Sequence, residues 1–285
     1  MLLALLCCLW GCGSQPPPPE FLVTRVEQTV PDELGTNAGT VFLDQMTSGE
    51  IGAAIAAGKR TIIIPTGGLE RNGPHVVTDK HNLVVRVIAG RTAVGLGDAL
   101  VTSVLPFVPQ GDLDEPSGLL MYPGTVSISH STYEQVLTDI ATSHRLHGFV
   151  RIVFIGDSLG NQAGMSKVAQ ELDAKWPQTQ VYYSAAYYEQ DMWSYDYLKQ
   201  RGFTQQPDEQ VAMRSGVHTD LHYEAILAAV DPTTIHAQQR LDAGDLSVHG
   251  VHFDSVQSMA TLGELLISYR ADIAIKDIEA NAPKR

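Results

Sequence analysis

Residues 61–82 read T-I-I-I-P-T-G-G-L-E-R-N-G-P-H-V-V-T-D-K-H-N, and the parsing of this stretch decides the fold. Thr61 to Ile64 is a short β-branched run, the composition of a strand covered on both faces. Pro65, Gly67 and Gly68 interrupt it, so a loop is expected at the strand's carboxyl end. In open α/β sheets that edge is where ligands bind. The loop carries Glu70, Asn72, His75, Asp79 and His81, five groups able to bind a metal or move a proton within twelve residues. Leu83, Val84, Val87 and Ile88 then recur at helical spacing. A polar loop that is merely solvated has the same composition, and composition alone leaves both readings open.

Working outward, Thr47 and Glu50 stand at the spacing of a capping box, with Ile51, Ala54 and Ile55 as the apolar face behind it and Gly58 as its end. Downstream, Ala99–Val104 is a second buried-strand candidate, followed by a long acidic loop from Pro106 to Gly118. Ser131–Leu146 predicts an amphipathic helix, and Ile152–Ile155 a third strand that ends in the loop Gly156-Asp157-Ser158-Leu159-Gly160-Asn161-Gln162. A helix over Met165–Trp176 and a strand over Val181–Ala185 come next. Strands alternating with helices at this spacing predict an α/β class: a three-layer α/β/α sandwich on a largely parallel sheet. Polar loops after successive strands then converge at one sheet edge. Tyr182 to Tyr197 is dense in aromatics, read chiefly as packing. Gly216 to Glu224 forms a third polar loop, and Ala225–Val230 and Ala260–Ile278 are helical, the last read as structural. Asp220 and His222 are expected to be solvated.

Composition bounds the function. Of 285 residues 44% are hydrophobic and 18% charged, ordinary for one large core. A net charge of −13 argues against nucleic acid, whose phosphates it repels. Residues 1–11 are an apolar run too short to span a bilayer, read as an export signal, and Cys12 directly after Gly11 is placed like the lipidated cysteine of a bacterial lipoprotein. A plain cleaved signal peptide is the other reading. Residues 12–40, with Pro16 to Pro19, read as a tether, and 41–285 as the domain. The protein is expected to be exported, periplasmic and lipid-anchored, touching membrane through that anchor alone. Cys7, Cys8 and Cys12 all lie in this leader, so disulfides, a catalytic cysteine and thiolate zinc sites are excluded from the folded body.

The motifs carry a resemblance over about Phe42 to Ile278. G-G-L-E-R-N-G-P-H resembles the creatininase (creatinine amidohydrolase) signature G-S-x-E-x-H-G-P-H-L-P-x-G-T-D; M-Y-P-G-T at 121–125 resembles its F-P-G-T, G-D-S-L-G-N its N-G-H-G-G-N, and G-V-H-T-D-L-H-Y-E its H-A-G-x-x-E-T-S. The resemblance implies a metal-dependent amidohydrolase acting on a small cyclic or linear amide through metal-activated water, with zinc or manganese as the ion and hexamers as the assembly. Residue by residue, Glu70 matches the first metal ligand, Asn72 replaces a family histidine, His81 falls on the signature's closing aspartate when aligned without a gap (Asp79 takes that place only if two residues are deleted), Ser158 on a family histidine with Asp157 beside it, and Gly160 on a later glutamate. Three readings stay open. Glu70, His81 and Asp157 form a rearranged ligand set, for one ion rather than two; or the pocket binds a small molecule without turnover; or these polar groups only hold the loops. The family role of general acid falls on His218. Asn72, His75, Asp79, Ser158, Asn161 and Trp193 are expected to line the substrate pocket or to orient ligand carboxylates from behind.

Overall fold

The computed structural model describes residues 39–189, 191–204 and 219–282. The expected signal (1–11), Cys12, nearly all of the tether and His218 lie outside the described residues. In chain order the elements are α1 (Ser48–Ala56), β1 (Thr61–Thr66), α2 (Lys80–Leu96), β2 (Ala99–Val101), α3 (His130–Leu146), β3 (Arg151–Gly156), α4 (Leu159–Lys175), β4 (Gln180–Tyr183), α5 (Ala186–Glu189), α6 (Asp191–Gln200), α7 (Leu221–Val230), α8 (Ala237–Asp242), the two-residue strands β5 (Ser247–Val248) and β6 (Val251–His252), and α9 (Val256–Ala280).

Four strands form one parallel sheet in the order β2-β1-β3-β4. β1 runs through its middle, registered from Thr61 opposite Arg151 to Thr66 opposite Gly156, and all six of its residues are buried. Its side chains alternate between two cores, as strand geometry requires. Ile63 packs with Val101, Val153 and Ile155 against the apolar faces of α2, α7 and α9. Ile62 and Ile64 pack with Leu100, Ile152 and Phe154 against α3 and α4. Each fully buried isoleucine contributes about 1.5–3 kcal/mol, so a sheet covered on both faces accounts for the apolar run. The result is the three-layer α/β/α arrangement expected. Among the described residues no helix is long and apolar enough to cross a membrane.

The capping box at α1 is present in both halves: the Thr47 hydroxyl accepts from the Glu50 amide, and the Glu50 carboxylate accepts from the Thr47 amide. Two boundaries differ from expectation. β2 stops at Val101, yet the chain stays beside β1, with Thr102 N–H donating to Ile63 O and Leu105 N–H to Pro65 O. α4 begins at Leu159, so Gly160-Asn161-Gln162 is the first helical turn and not loop. Gly160 reads as a breaker, but it is there for proximity: a Cβ on it would lie 1.8 Å from the Pro109 carbonyl oxygen.

Candidate active site

Three of the polar side chains singled out from sequence meet at the carboxyl ends of β1 and β3. Glu70 lies in the loop four residues past β1, His81 in the first turn of α2, and Asp157 directly after β3. His81 joins the other two: its Nε2 is 2.6 Å from Glu70 Oε1 and its Nδ1 is 2.7 Å from Asp157 Oδ2. The three are 1%, 3% and 0% exposed, so these charge-assisted contacts are sheltered from water. Each ring nitrogen thus faces a carboxylate oxygen, and the tautomer decides which of the two donates.

Side chains that sequence reasoning passed over complete the assembly. Lys80 is fully buried, with Nζ 3.7 Å from Glu70 Oε1 and 4.5 Å from the Tyr223 ring centroid. Burial pulls its ammonium below the usual lysine value, against the opposing charges of Glu70, Asp220, Asp157 and Glu224. Arg270, from the middle of α9, donates through Nη1 to Asp157 Oδ1 at 3.0 Å and to His222 Nε2 at 3.1 Å. Tyr187, on α5, donates to the same Asp157 oxygen at 2.7 Å. Burial would raise the Asp157 carboxyl, but the Arg270 charge and the His81 and Tyr187 hydrogen bonds outweigh it and hold Asp157 below the normal carboxylate range. Because a guanidinium only donates, His222 Nε2 must accept, which leaves the His222 proton on Nδ1, 3.0 Å from Asp220 Oδ1. Asp220 also caps α7, accepting from the Tyr223 amide at 3.0 Å. Burial opposes its charge as well, but His222, the Tyr223 amide and Lys80 depress its carboxyl strongly. The expectation that Asp220 and His222 are solvated is therefore overturned: their side chains are only 19% and 11% exposed, and they end the network. A basic residue inside an apolar helix was the available signal for Arg270, and a lysine wedged between Asp79 and His81 was the signal for Lys80.

The remaining predicted residues have other placements. Asn72 donates its amide to the Glu70 and Val77 carbonyls, and its Oδ1 is buried without a partner. Asp79 accepts from Asn82, whose own Oδ1 accepts from the Gly68 amide, so this pair shapes the loop after β1. His75 has Arg240, Asp245 and His236 as its charged neighbours, and burial with the Arg240 charge lowers its ring below the usual histidine value. The Ser158 hydroxyl accepts from Gln110, tying the 105–126 loop to the start of α4. Asn161 donates to Thr66 O, Thr66 Oγ1 and Gly67 O and so pins the end of β1. Trp193 is carried on α6, and its side chain falls outside the described residues.

The donors test poorly against a metal. Catalytic zinc takes at least three protein ligands with free lone pairs. Here both His81 nitrogens face carboxylates, Asp157 is taken by Arg270, Tyr187 and His81, and Glu70 Oε1 faces both His81 and Lys80. Among the described residues no three His, Cys, Asp or Glu side chains are placed to hold an ion.

Comparison with known proteins places this geometry in a family. The profile described as Creatininase: Creatinine amidohydrolase matches residues 44–270. A creatinine amidohydrolase from Pseudomonas putida is 29% identical over 122 residues, 43% of this chain and 46% of that protein. A mycofactocin precursor peptide peptidase from Mycolicibacterium smegmatis (strain ATCC 700084 / mc(2)155) is 30% identical over 125 residues, 40% of this chain and 48% of that protein. The chain thus spans about half the length of these curated relatives. A crystal structure of creatinine amidohydrolase (creatininase) superposes on 87% of this chain and 100% of its own, with a TM-score of 0.59 and 20% identity, a likeness of fold. Creatininase structures of similar likeness include a manganese form and a Zn–Zn type mutant. The match over most of the domain, on a parallel sheet whose loops converge as expected, means that this chain belongs to the creatininase (creatinine amidohydrolase) family.

Proposed function

We propose that the chain hydrolyses the C–N bond of a small cyclic or linear amide at the Glu70–His81–Asp157 assembly. The observation that carries this reading is the His81 ring held by carboxylates at 2.6 and 2.7 Å beside a buried ammonium, at the ligand-binding edge of an amidohydrolase-family fold. Hydrolysis needs a base for water, positive charge for the developing oxyanion and a proton for the leaving nitrogen. Glu70 is the base: water's oxygen bonds the carbonyl carbon as Glu70 takes a proton. His81 keeps that carboxylate aimed, and Asp157, fixed by Arg270 and Tyr187, keeps His81 aimed. Lys80 faces the negative charge that gathers on the carbonyl oxygen. His218, by its family position, donates to the departing nitrogen as the C–N bond breaks. The manganese and zinc forms of relatives support a divalent ion as the family's cofactor; the donors in this chain do not gather for one, and none of these steps passes through a metal.

A second reading, a small-molecule binder without turnover, is favoured by one observation, the near-complete enclosure of Glu70, His81 and Asp157. Purified full chain incubated with lactams and N-acyl amino acids, with the freed amino group as the readout, separates the two. The hydrolase reading expects turnover of at least one amide and a loss of about 10²–10⁴-fold in His81→Ala and Glu70→Gln. Thermal stabilisation by a panel compound with no amine released from any of them would leave the binder. We infer as well that the chain is exported and held to a membrane through lipid on Cys12. Metabolic labelling with an alkyne fatty acid should mark the wild type and not Cys12→Ser; equal labelling of both rejects it.

A further inference from the structure

We infer that the fixed ammonium of Lys80 supplies at Glu70 the positive charge that a divalent ion brings to metal-bound creatininases, and that this chain holds no zinc or manganese at that place. This concerns the cation, so it stands or falls apart from turnover. The geometry points there from four directions. Lys80 Nζ lies 3.7 Å from Glu70 Oε1, the same oxygen that His81 Nε2 approaches to 2.6 Å. An ion on that oxygen would have to settle against an ammonium with no water between to screen the two. The Tyr223 ring lies 4.5 Å from Nζ at its centroid, a face that attracts a cation and offers no ligand atom. Asp157, the other carboxylate in reach of His81, gives Oδ1 to Arg270 and Tyr187 and Oδ2 to His81, so three of its roughly four acceptor sites already serve protein groups. Asn72, on the position of a family histidine, turns its amide nitrogen to two backbone carbonyls.

The substitutions form one pattern. In the resemblance the signature's closing T-D falls on Lys80-His81, so the acidic ligand is replaced by a ring that donates, and a cation enters one residue before it. Losing an imidazole at Asn72 and a carboxylate at His81 while gaining an ammonium exchanges one source of positive charge for another. A strongly hydrated ammonium is buried in a low-dielectric site only where carboxylates gather around it, which Glu70, Asp157, Asp220 and Glu224 do here.

Elemental analysis of wild-type protein, purified without chelator and dialysed, tests this directly. The expected result is far below one equivalent of zinc, manganese or iron, and no rise in melting temperature on adding Mn²⁺ or Zn²⁺. Near-stoichiometric metal in the wild type would overturn the inference. Lys80→Met keeps the apolar stem and removes the charge, uncovering Glu70 and His81; it should gain a metal-dependent rise in melting temperature and bind Mn²⁺ about tenfold tighter or more. A folded Lys80→Met that responds to Mn²⁺ no better than the wild type would also overturn it. If Lys80→Met fails to fold, the wild-type metal content decides alone. Because neither readout requires turnover, a metal-free protein that releases no amine from any amide rejects the hydrolase reading and leaves this inference in place.

Discussion

Among the described residues two ionic assemblies are buried, and they are built differently. In the first, Arg240 donates through Nη1 to Glu224 Oε2 at 2.6 Å and through Nη2 to the Ser247 carbonyl at 2.8 Å, fastening α7 to the β5–β6 hairpin. One cation meets one anion, and the remaining bonds end on backbone. Burial raises the Glu224 carboxyl in spite of Arg240. In the second, Lys80, Glu70, His81, Asp157, Arg270, His222 and Asp220 follow one another with two rings set between charges, and the links run from side chain to side chain. The first arrangement fastens elements together. The second puts groups that exchange protons within reach of one another, where removing an inner member takes a contact from each of two others. Buried ion pairs are weak evidence for stability in either case; the number of partners each member serves is what separates a clamp from a site.

The largest expected effects break that contrast directly. Arg240→Met and Arg270→Met should each cost about 3–5 kcal/mol, because each leaves a buried carboxylate uncompensated. The double replacements should then diverge. Glu224→Leu with Arg240→Met removes both halves of a pair whose other hydrogen bonds end on backbone and should return to within about 1–2 kcal/mol of wild type. Asp157→Leu with Arg270→Met should recover nothing, since His81, Tyr187 and His222 all lose partners with it. Urea unfolding of the four variants measures this, and equal recovery in both pairs would remove the distinction.

A lone buried ring sharpens the comparison from the other side. His144, near the end of α3, is 8% exposed, packs edge-on to Phe149 at 5.7 Å and has a buried Nδ1 with no hydrogen-bond partner. Burial, with His147 nearby, lowers its ring to about 4. The unfolded chain takes up this proton near the ordinary value of 6.5 and the folded chain only near 4, so stability is full above about 6.5 and falls as pH drops towards 4. The loss approaches about 3 kcal/mol at the acid end. Urea midpoints from pH 7.5 to 4 should decline less steeply in His144→Phe than in wild type; parallel curves would show that His144 is not the group responsible.

How far the sequence reached follows from the range of the forces involved. The strand at Thr61–Thr66 was legible because burial on both faces leaves a local mark, an unbroken β-branched run. The α1 cap was legible because both its partners lie within four residues. Glu70, His81 and Asp157 were legible from loops after strands and from motif likeness. The loop after the third strand was drawn through Gln162, past its end at Ser158, since a contact with Pro109 from a separate loop puts Gly160 inside the helix. Lys80 and Arg270 were passed over because their partners are distant: Arg270 meets an aspartate 113 positions away. Nothing near residue 270 announces that, except that an arginine inside an apolar helix needs an anion somewhere.

Asp220 gives the smallest effect and the finest cut between fastening and function, because it serves both. One carboxylate oxygen caps α7 through the Tyr223 amide, and the same group accepts the Nδ1 proton of His222. Asp220→Ala loses the cap, worth about 1 kcal/mol, and the acceptor for His222, worth about 1 kcal/mol more. Asp220→Asn keeps an oxygen for one partner and ranks with aspartate as a cap, so most of that stability should return. If Asp220 were only a cap, the asparagine variant would match wild type in every respect. As the end of the charge chain it should differ in one: with a negative charge gone from the vicinity of Lys80, the Lys80 ammonium should give up its proton at lower pH than in wild type, a shift read by NMR titration of its ε-carbon. Unchanged Lys80 titration in a fully stable Asp220→Asn would assign Asp220 to the helix end alone and shorten the network to His222.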